Sequence, residues 1–229
     1  MSFIFDPDPQ PSIGIIGEES RFPVRRVYNV ARNYKKHVIE MGGDPEIFTP
    51  AYFLKPRDAI VECPAEIPYP MGTEDCHYEI ELVIALGRDG VNVTPSEVED
   101  MIYGYAVGLD LTRRDLQAIA KKKAAPWDTS KAFDRSAPIS QIRKASEIRH
   151  LKSGSIWLNV NGEKRQEGDI SDLIVPVCEL ILDLSKLFEL KAGDLIFTGT
   201  PEGVGPIHKG DHLEGVVEGV GELSLKIFR

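Results

Sequence analysis

Cysteine is scarce in this sequence, and the positions of the few cysteines argue against two kinds of architecture. The chain has three of them, Cys63, Cys76 and Cys178, and they form no Cys-x-x-Cys pair. An odd number without close spacing indicates neither a disulfide framework nor a cysteine zinc site. A chain of 229 residues is also long enough to bury a core without such cross-links. Free thiols are typical of the cytoplasm, where we expect the protein to reside.

Positive charge and long apolar runs are scarce as well. The formal net charge of -9 would repel nucleic acid and anionic membranes, so neither is expected as a partner. The one lysine run, at residues 121–123, is too short for a nucleic-acid patch. No apolar run approaches the roughly 20 residues that span a bilayer. The first residues also lack the basic segment and apolar core of a signal peptide, so we expect no export.

Residues 77–86, HYEIELVIAL, place two acids in an otherwise apolar strand. Side chains alternate along a strand, so Glu79 and Glu81 point to one face, and both faces are apolar beyond Glu81. Such a strand is normally covered on both sides, and two carboxylates buried side by side repel each other. A divalent metal would neutralise them, because hard cations prefer oxygen ligands. The alternative is a strand end whose acids reach water.

A third acid follows a second apolar strand. Residues 103–109 have the pattern of a strand with small side chains, and Asp110 comes at its end, just before a predicted helix. Asp110 could be a helix cap or a third oxygen ligand. Three carboxylates suit octahedral Mg²⁺ or Mn²⁺ and leave about three positions for water or a chelating substrate. Glu79, Glu81 and Asp110 are therefore the candidate metal ligands.

An acid and a histidine lie close together in a short predicted helix. His37 and Glu40 are three residues apart, which puts them on one side of a helical turn. The carboxylate can then fix the imidazole tautomer and make the ring a better base. A plain surface contact is the alternative, since such pairs are common on helices. The spacing differs from the His-Glu-x-x-His zinc pattern, so a zinc peptidase is not indicated.

Four polar side chains are candidates for contacting whatever fills the open metal positions. Arg114 and Gln117 are three apart on the helix after Asp110, where they would offer a carboxylate clamp and an amide. Lys131 lies in a predicted polar loop and could reach the same cavity, although a lysine facing solvent is the alternative. Thr200 follows a predicted strand in a glycine-rich stretch that lacks the phosphate-binding motif.

The predicted elements favour a mostly β fold. We expect an irregular N-terminal arm at residues 1–22, with one strand near residues 12–16, and a domain at residues 23–229. A hairpin is predicted at Asn161 and Gly162, and an amphipathic helix within residues 171–190 has Leu180, Ile181, Leu184 and Leu187 as its apolar stripe. Strands dominate, and no regular alternation of strands and helices occurs.

Several of these segments together resemble the fumarylacetoacetate hydrolase family. The resemblance runs from about residue 21 onward and is carried by RNYKKHVIEMG, HYEIELVIALG, GYAVGLDLTRRDLQ, PWDTSKAFDRSAP and DLIFTGTPEGVGP. It implies an α+β, mostly β fold, a mixed and curved β-sheet roll with a few helices, and usually a homodimer. It also implies that Glu79, Glu81 and Asp110 correspond to metal ligands, that His37 and Glu40 form a catalytic dyad with Lys131 as a further catalytic group, and that Arg114, Gln117 and Thr200 contact substrate.

The implied reaction is metal-dependent hydrolysis of a C–C bond in a 2,4-dioxo acid. The resemblance is strongest to the branch that cleaves fumarylpyruvate to fumarate and pyruvate in gentisate-type aromatic degradation. Acylpyruvase or oxaloacetate decarboxylase activity is the alternative, and a non-catalytic β-roll that binds a small acid is a further one. Ala31 departs from the family pattern, which usually has glycine there. Its added methyl group is expected to narrow the pocket floor, so the acyl group of the substrate stays open.

Overall fold

The computed structural model describes residues 3–47 and 49–228, and strands dominate in this part of the chain. The strands are β1 (Ser12–Gly14), β2 (Arg21–Pro23), β3 (Val27–Ala31), β4 (Ala51–Lys55), β5 (Ile60–Glu62), β6 (Ala65–Ile67), β7 (Cys76–Tyr78), β8 (Ile80–Leu86), β9 (Ile102–Leu109), β10 (Thr112–Arg113), β11 (Ala137–Ile139), β12 (Arg143–Lys144), β13 (Ser155–Val160), β14 (Glu163–Asp169), β15 (Leu195–Phe197), β16 (Gly205–Pro206), β17 (His212–Val217) and β18 (Gly221–Ile227). The α-helices are α1 (Lys35–Glu40), α2 (Pro95–Met101), α3 (Arg114–Lys123), α4 (Asp128–Lys131) and α5 (Val177–Leu187), and short 3-10 turns span Pro45–Ile47, Arg57–Ala59 and Ile170–Asp172. None of these helices is long and apolar enough to cross a membrane.

Two large sheets form the body of the fold. The larger has the strand order β4-β3-β15-β8-β9-β11-β5, with β12 added beside β9, and the other has the order β14-β13-β17-β18-β6. Both are mixed, because β15 runs parallel to β3, β11 to β5 and β18 to β6, while their other pairs are antiparallel. Two small sheets, β10-β7-β16 and β1-β2, complete the set. The predicted mixed, mostly β fold with a few helices is confirmed.

Strand β8 lies between two apolar cores. Leu82 and Ile84 belong to the main core, which the five-stranded sheet and α5 also fill, while Val83 and Ala85 face a smaller core. All seven residues of β8 are buried. Each large aliphatic side chain buried in this way contributes about 1.5–3 kcal/mol to folding. The prediction that both faces of this strand are covered is confirmed, and it explains why acids at its start are far from bulk water.

The N-terminal segment packs against the smaller core. Strands β1 and β2 pair in antiparallel fashion, with Ile13 opposite Phe22, and both side chains are buried in that core. The division of the chain at residue 22 remains a prediction.

The local predictions for the hairpin and the amphipathic helix hold, with one exception. Asn161 and Gly162 have φ angles of 54° and 80°, as a tight turn between β13 and β14 requires. In α5, Leu180 and Leu184 are buried as predicted, but Leu187 is 59% exposed. Leu187 is the last residue of the helix, and its side chain lies beyond the edge of the core.

Candidate active site

Three carboxylates converge where strand β8 begins and strand β9 ends. Glu81 lies opposite Gly108 in the antiparallel β8–β9 pair, and the backbone N–H of Asp110 donates to the carbonyl of Glu79 at 2.9 Å. This register brings one carboxylate oxygen of each acid within 4.8 Å of those of the other two, and all three side chains are buried. The structure therefore brings together the three predicted metal ligands.

The strand predicted at residues 77–86 is interrupted at Glu79. The segment before it, β7, pairs with β10 and β16, whereas β8 pairs with β9 and β15. The chain thus passes from one sheet to another at Glu79. This break places Glu79 at the junction of two sheets, beside the end of β9.

Cations surround two of the three acids. The Lys131 ammonium donates to Glu79 Oε2 at 2.9 Å and also to Asp110 Oδ2. Arg114 Nη2 donates to Glu79 Oε1 at 2.5 Å, and Lys55 Nζ lies 2.9 Å from Asp110 Oδ1. Burial would lower the pKa of Lys131, but the charges on Asp110 and Glu79 raise it, so the ammonium stays charged.

Glu81 lacks such a partner. Burial, together with the charges of Asp110 and Glu79, raises the pKa of Glu81 well above its usual range. At Glu79 burial acts in the same direction, but the charges on Lys131 and Arg114 outweigh it and hold the pKa well below that range. No lysine or arginine of the described chain lies within ion-pair distance of Glu81, which accepts a hydrogen bond from the backbone N–H of Gly199 at 2.7 Å. A divalent cation bound by the three acids fits this uncompensated charge and the hard oxygen donor set.

Helix α1 holds the predicted dyad beside the carboxylates. His37 Nδ1 lies 2.9 Å from Glu40 Oε2, and the imidazole is 4% exposed. The second oxygen of Glu40 accepts from the backbone N–H of Gly203 at 3.0 Å, and Lys36 pairs with Glu202 at 3.2 Å. Glu40 thus fixes the imidazole through Nδ1, which leaves Nε2 as the ring nitrogen that can accept a proton.

Arg114, Gln117 and Lys131 reach the site from two consecutive helices. Arg114 Nη1 donates to the side-chain oxygen of buried Gln117 at 2.8 Å on the first turn of α3. The prediction of a loop at Lys131 was wrong, because residues 128–131 form helix α4. The alternative of a lysine facing solvent is also excluded, since Lys131 is 3% exposed. Its ion pairs with Glu79 and Asp110 make that burial tolerable.

The segment after β15 presents Thr200 to the same cavity. The Thr200 hydroxyl accepts from Gln166 Nε2 at 2.8 Å, and Gln166 also supports the start of β8 through Ile80. Gly199 has a φ of +99°, and a Cβ there would lie 2.7 Å from the Asn33 Cβ. Glycine is thus required where the chain turns to offer its N–H to Glu81.

One cavity collects eight of the nine predicted site residues. It is lined by His37, Glu79, Glu81, Asp110, Arg114, Gln117, Lys131 and Thr200, while Glu40 lies behind His37. Ala31 also lines it, as expected for a residue of the pocket floor. The free volume of this cavity is about 20 Å³, so it is narrow beside the three carboxylates.

Sequence reasoning missed several residues of this cavity. Its outer part is lined by Arg32, Met41, Phe53, Lys121 and Trp127, which no motif had singled out as site residues. Lys55, which compensates Asp110, was also missed. The sequence offered one signal for it, since Lys55 is followed directly by Pro56, which restricts the backbone of the lysine.

Comparisons with known proteins agree with this geometry. Residues 26–227 match the family model described as fumarylacetoacetate (FAA) hydrolase C-terminal. A fumarylpyruvate hydrolase of Ralstonia sp is 45% identical over 176 residues, which cover 77% of this chain and 91% of the relative. An oxaloacetate tautomerase of Escherichia coli (strain K12) is 41% identical, with 86% of this chain and 90% of the relative covered.

A solved structure extends the likeness to the whole fold. The crystal structure of fumarylpyruvate hydrolase from Pseudomonas aeruginosa, in complex with Mn²⁺ and pyruvate, superposes with a TM-score of 0.97 at 47% sequence identity. The match covers 99% of each chain. The sequence motifs, the fold and the acidic cavity thus lead to one conclusion: the chain belongs to the fumarylacetoacetate hydrolase family.

Proposed function

We propose that this protein hydrolyses the C3–C4 bond of a 2,4-dioxo acid, and that the substrate is fumarylpyruvate, which yields fumarate and pyruvate. The observation that carries the proposal is the pairing, in one cavity, of three buried carboxylates with a histidine held by Glu40. The similarity to fumarylpyruvate hydrolases of Ralstonia sp and Pseudomonas aeruginosa supports the choice of substrate.

Glu79, Glu81 and Asp110 would hold the divalent ion, Mg²⁺ or Mn²⁺. When bound, such an ion acts as a Lewis acid for the oxygen atoms of the substrate. The Mn²⁺ in the Pseudomonas aeruginosa structure supports a divalent ion of this size and hardness.

The chain's own residues supply binding and proton transfer. Arg114 and Gln117 bind the substrate carboxylate, and Lys131 adds positive charge beside the reacting oxygens. His37 Nε2 takes a proton from a water molecule whose oxygen bonds to C4, and Glu40 stabilises the resulting imidazolium. The C3–C4 bond then breaks, C3 receives a proton, and the products are pyruvate and the carboxylic acid of the acyl group.

Chemistry on oxaloacetate is the second candidate. The 41% identity to an oxaloacetate tautomerase favours it, and decarboxylation of oxaloacetate is the related reaction predicted from the sequence. Neither reaction requires water to attack a carbonyl carbon, so the His37–Glu40 pair would have a different role in them.

A direct comparison of substrates tests the proposal. The loss of absorbance of fumarylpyruvate, acetylpyruvate and oxaloacetate is measured at equal enzyme with Mg²⁺ or Mn²⁺. We expect the highest kcat/KM with fumarylpyruvate. A higher kcat/KM with oxaloacetate than with either acylpyruvate would overturn it.

We also propose a homodimer, which the family resemblance implies, and a location in the cytoplasm, where free thiols such as those of this chain are typical. Sedimentation velocity at micromolar concentration tests the assembly. A single species of monomer mass would contradict it.

A further inference from the structure

Two basic side chains at the outer part of the active-site cavity lack acidic partners. Arg32 and Lys121 line the same cavity as the three carboxylates. The ion pairs of those carboxylates are made by Arg114, Lys131 and Lys55 instead. Within the described chain, no Asp or Glu oxygen lies within ion-pair distance of Arg32 or Lys121. The outer part of the cavity therefore carries positive charge that the protein itself does not neutralise.

The conformation of Arg32 is unusual for a residue with a side chain. It follows β3 with a φ of 58°, in the left-handed region that favours glycine. Such conformations occur in tight turns and where the surrounding structure holds a residue in place. Here the turn leads directly from the cavity floor at Ala31 to α1, which carries His37.

Lys121 comes from the last turn of α3, and its ammonium lies 5.6 Å from the centre of the Trp127 ring. Much of its side chain is exposed, but neighbouring protein atoms reduce its hydration. This partial burial, followed by the charges of Arg114 and Arg32, lowers the pKa of Lys121. A bound anion would offset the repulsion between these cations.

The size of the cavity requires the acyl part of a substrate to extend outward. The free volume of the cavity is only about 20 Å³, which is too small for an acyl chain. One way out would pass Arg32 and Lys121, the exposed basic residues of the cavity lining. The other leads past Phe53 and Trp127, whose ring centroids are 6.0 Å apart, into a neighbouring cavity of about 460 Å³.

The charges of the two routes differ. The neighbouring cavity is lined mainly by apolar side chains, and its charged groups are Asp128 and Lys131, of which Lys131 already pairs with Glu79 and Asp110. It therefore offers no unpaired cation to an anionic group, whereas Arg32 and Lys121 would attract one. The first route thus suits an acyl chain that ends in a carboxylate, and the second suits an apolar chain.

We propose that Arg32 and Lys121 form a subsite for a second carboxylate at the far end of the acyl group, so that the preferred substrates are 2,4-dioxo acids with a carboxylate at each end. This inference rests on the proposed function. It adds that Arg32 and Lys121 select the acyl group by attracting its carboxylate.

A matched pair of substrates tests the subsite. Fumarylpyruvate is compared with crotonylpyruvate, which has the same chain with a methyl group in place of the distal carboxylate. The readout is the ratio of the two kcat/KM values. Hydrogen bonds to charged groups make roughly a 10- to 100-fold difference, so we expect Lys121→Gln to lower the ratio by about that factor, mainly through KM. Arg32→Asn should act in the same direction, because asparagine tolerates the left-handed conformation.

Lys122→Gln is the control, since this neighbouring lysine is exposed and does not line the cavity. Its ratio should equal that of the wild type. Unchanged ratios in Lys121→Gln and Arg32→Asn would overturn the subsite, and a changed ratio in Trp127→Ala alone would place the acyl chain in the neighbouring cavity.

Failure of the hydrolase proposal can be distinguished from failure of the subsite. If the wild type cleaved neither substrate, the hydrolase proposal would fall. Calorimetric dissociation constants for the same two compounds, with wild type and Lys121→Gln in the presence of Mn²⁺, then decide the subsite. The subsite is supported if the wild type binds the compound with the distal carboxylate more tightly and Lys121→Gln abolishes this preference. It is overturned if the ratio of the two dissociation constants is the same in both proteins.

Discussion

Two buried carboxylates, Asp194 just before β15 and Glu81 in the neighbouring β8, have opposite surroundings. Asp194 precedes β15 and is fully buried, but Arg25 Nη1 lies 3.0 Å from both of its oxygens and the backbone N–H of Lys191 donates at 2.9 Å. Glu81 is equally buried, yet it accepts a hydrogen bond from Gly199 and has two other acids beside it. The protein supplies a counter-charge for Asp194, and within the described chain it supplies none for Glu81.

Under the proposed function, this difference distinguishes an acid that stabilises the fold, Asp194, from a metal ligand, Glu81. Burial raises the pKa of both carboxyls, but at Asp194 the Lys191 N–H and Arg25 oppose the rise, whereas at Glu81 two further acids add to it. A substitution at Asp194 should therefore change stability, and one in the acidic cavity should change activity.

His37→Gln should lower hydrolysis without a comparable loss of stability. General-base catalysis contributes roughly 10²- to 10⁴-fold, so we expect a loss of kcat in that range. Any decarboxylation of oxaloacetate should fall much less, because it needs no attacking water. Steady-state kinetics with both substrates check this.

Asp110→Asn is the matched control for His37→Gln, since it should lower both activities together. Equal losses of the two activities in His37→Gln, with metal affinity and KM unchanged, would show that His37 positions substrate and does not activate water.

Lys55→Met should destabilise the fold strongly. Lys55 is buried, lies 2.9 Å from Asp110 Oδ1 and donates to the carbonyls of Leu111 and Lys131. Removing one partner of a buried ion pair costs about 3–5 kcal/mol. Urea denaturation measures the change in the free energy of unfolding. Lys226→Met, at an exposed lysine of β18, is the control and should change it little. A similar small change in both variants would mean that Lys55 is dispensable.

Asp194→Asn should have a smaller effect, and on stability alone. The amide keeps the shape but loses the charged hydrogen bonds to Arg25 and Lys191, which are worth about 1–3 kcal/mol. Urea denaturation should show this loss, and kcat per folded molecule should be unchanged. The exposed Asp134→Asn serves as the control. A loss of kcat in Asp194→Asn at full folding would place this acid in the function as well.

The sequence predicted the parts of the site that depend on one strand or one helical turn. The alternation of β8 was enough to place Glu79 and Glu81 on one face, and the three-residue spacing was enough for His37 and Glu40. Asp110 could be joined to them as a candidate third ligand because it ends an apolar strand, although a helix cap was the alternative there. Each of these inferences uses local periodicity, which the fold preserves.

The parts that were not predicted depend on how distant segments pack. Lys55 reaches Asp110 because β4, the edge strand of the larger sheet, ends beside α4. Arg32 lines the cavity because of a left-handed turn that its sequence does not specify. Phe53 and Trp127 approach each other across 74 residues, a contact that no local pattern indicates.

Binding of Mn²⁺ to Glu81→Gln, measured by calorimetry beside the wild type and Asp194→Asn, tests most directly whether the uncompensated acid is the metal ligand. Glu81→Gln should lose measurable Mn²⁺ binding and activity while its melting temperature stays equal or rises, because an amide needs no counter-charge. Asp194→Asn should bind Mn²⁺ like the wild type. Retained Mn²⁺ affinity in a folded Glu81→Gln protein would contradict the assignment of Glu79, Glu81 and Asp110 as one metal site.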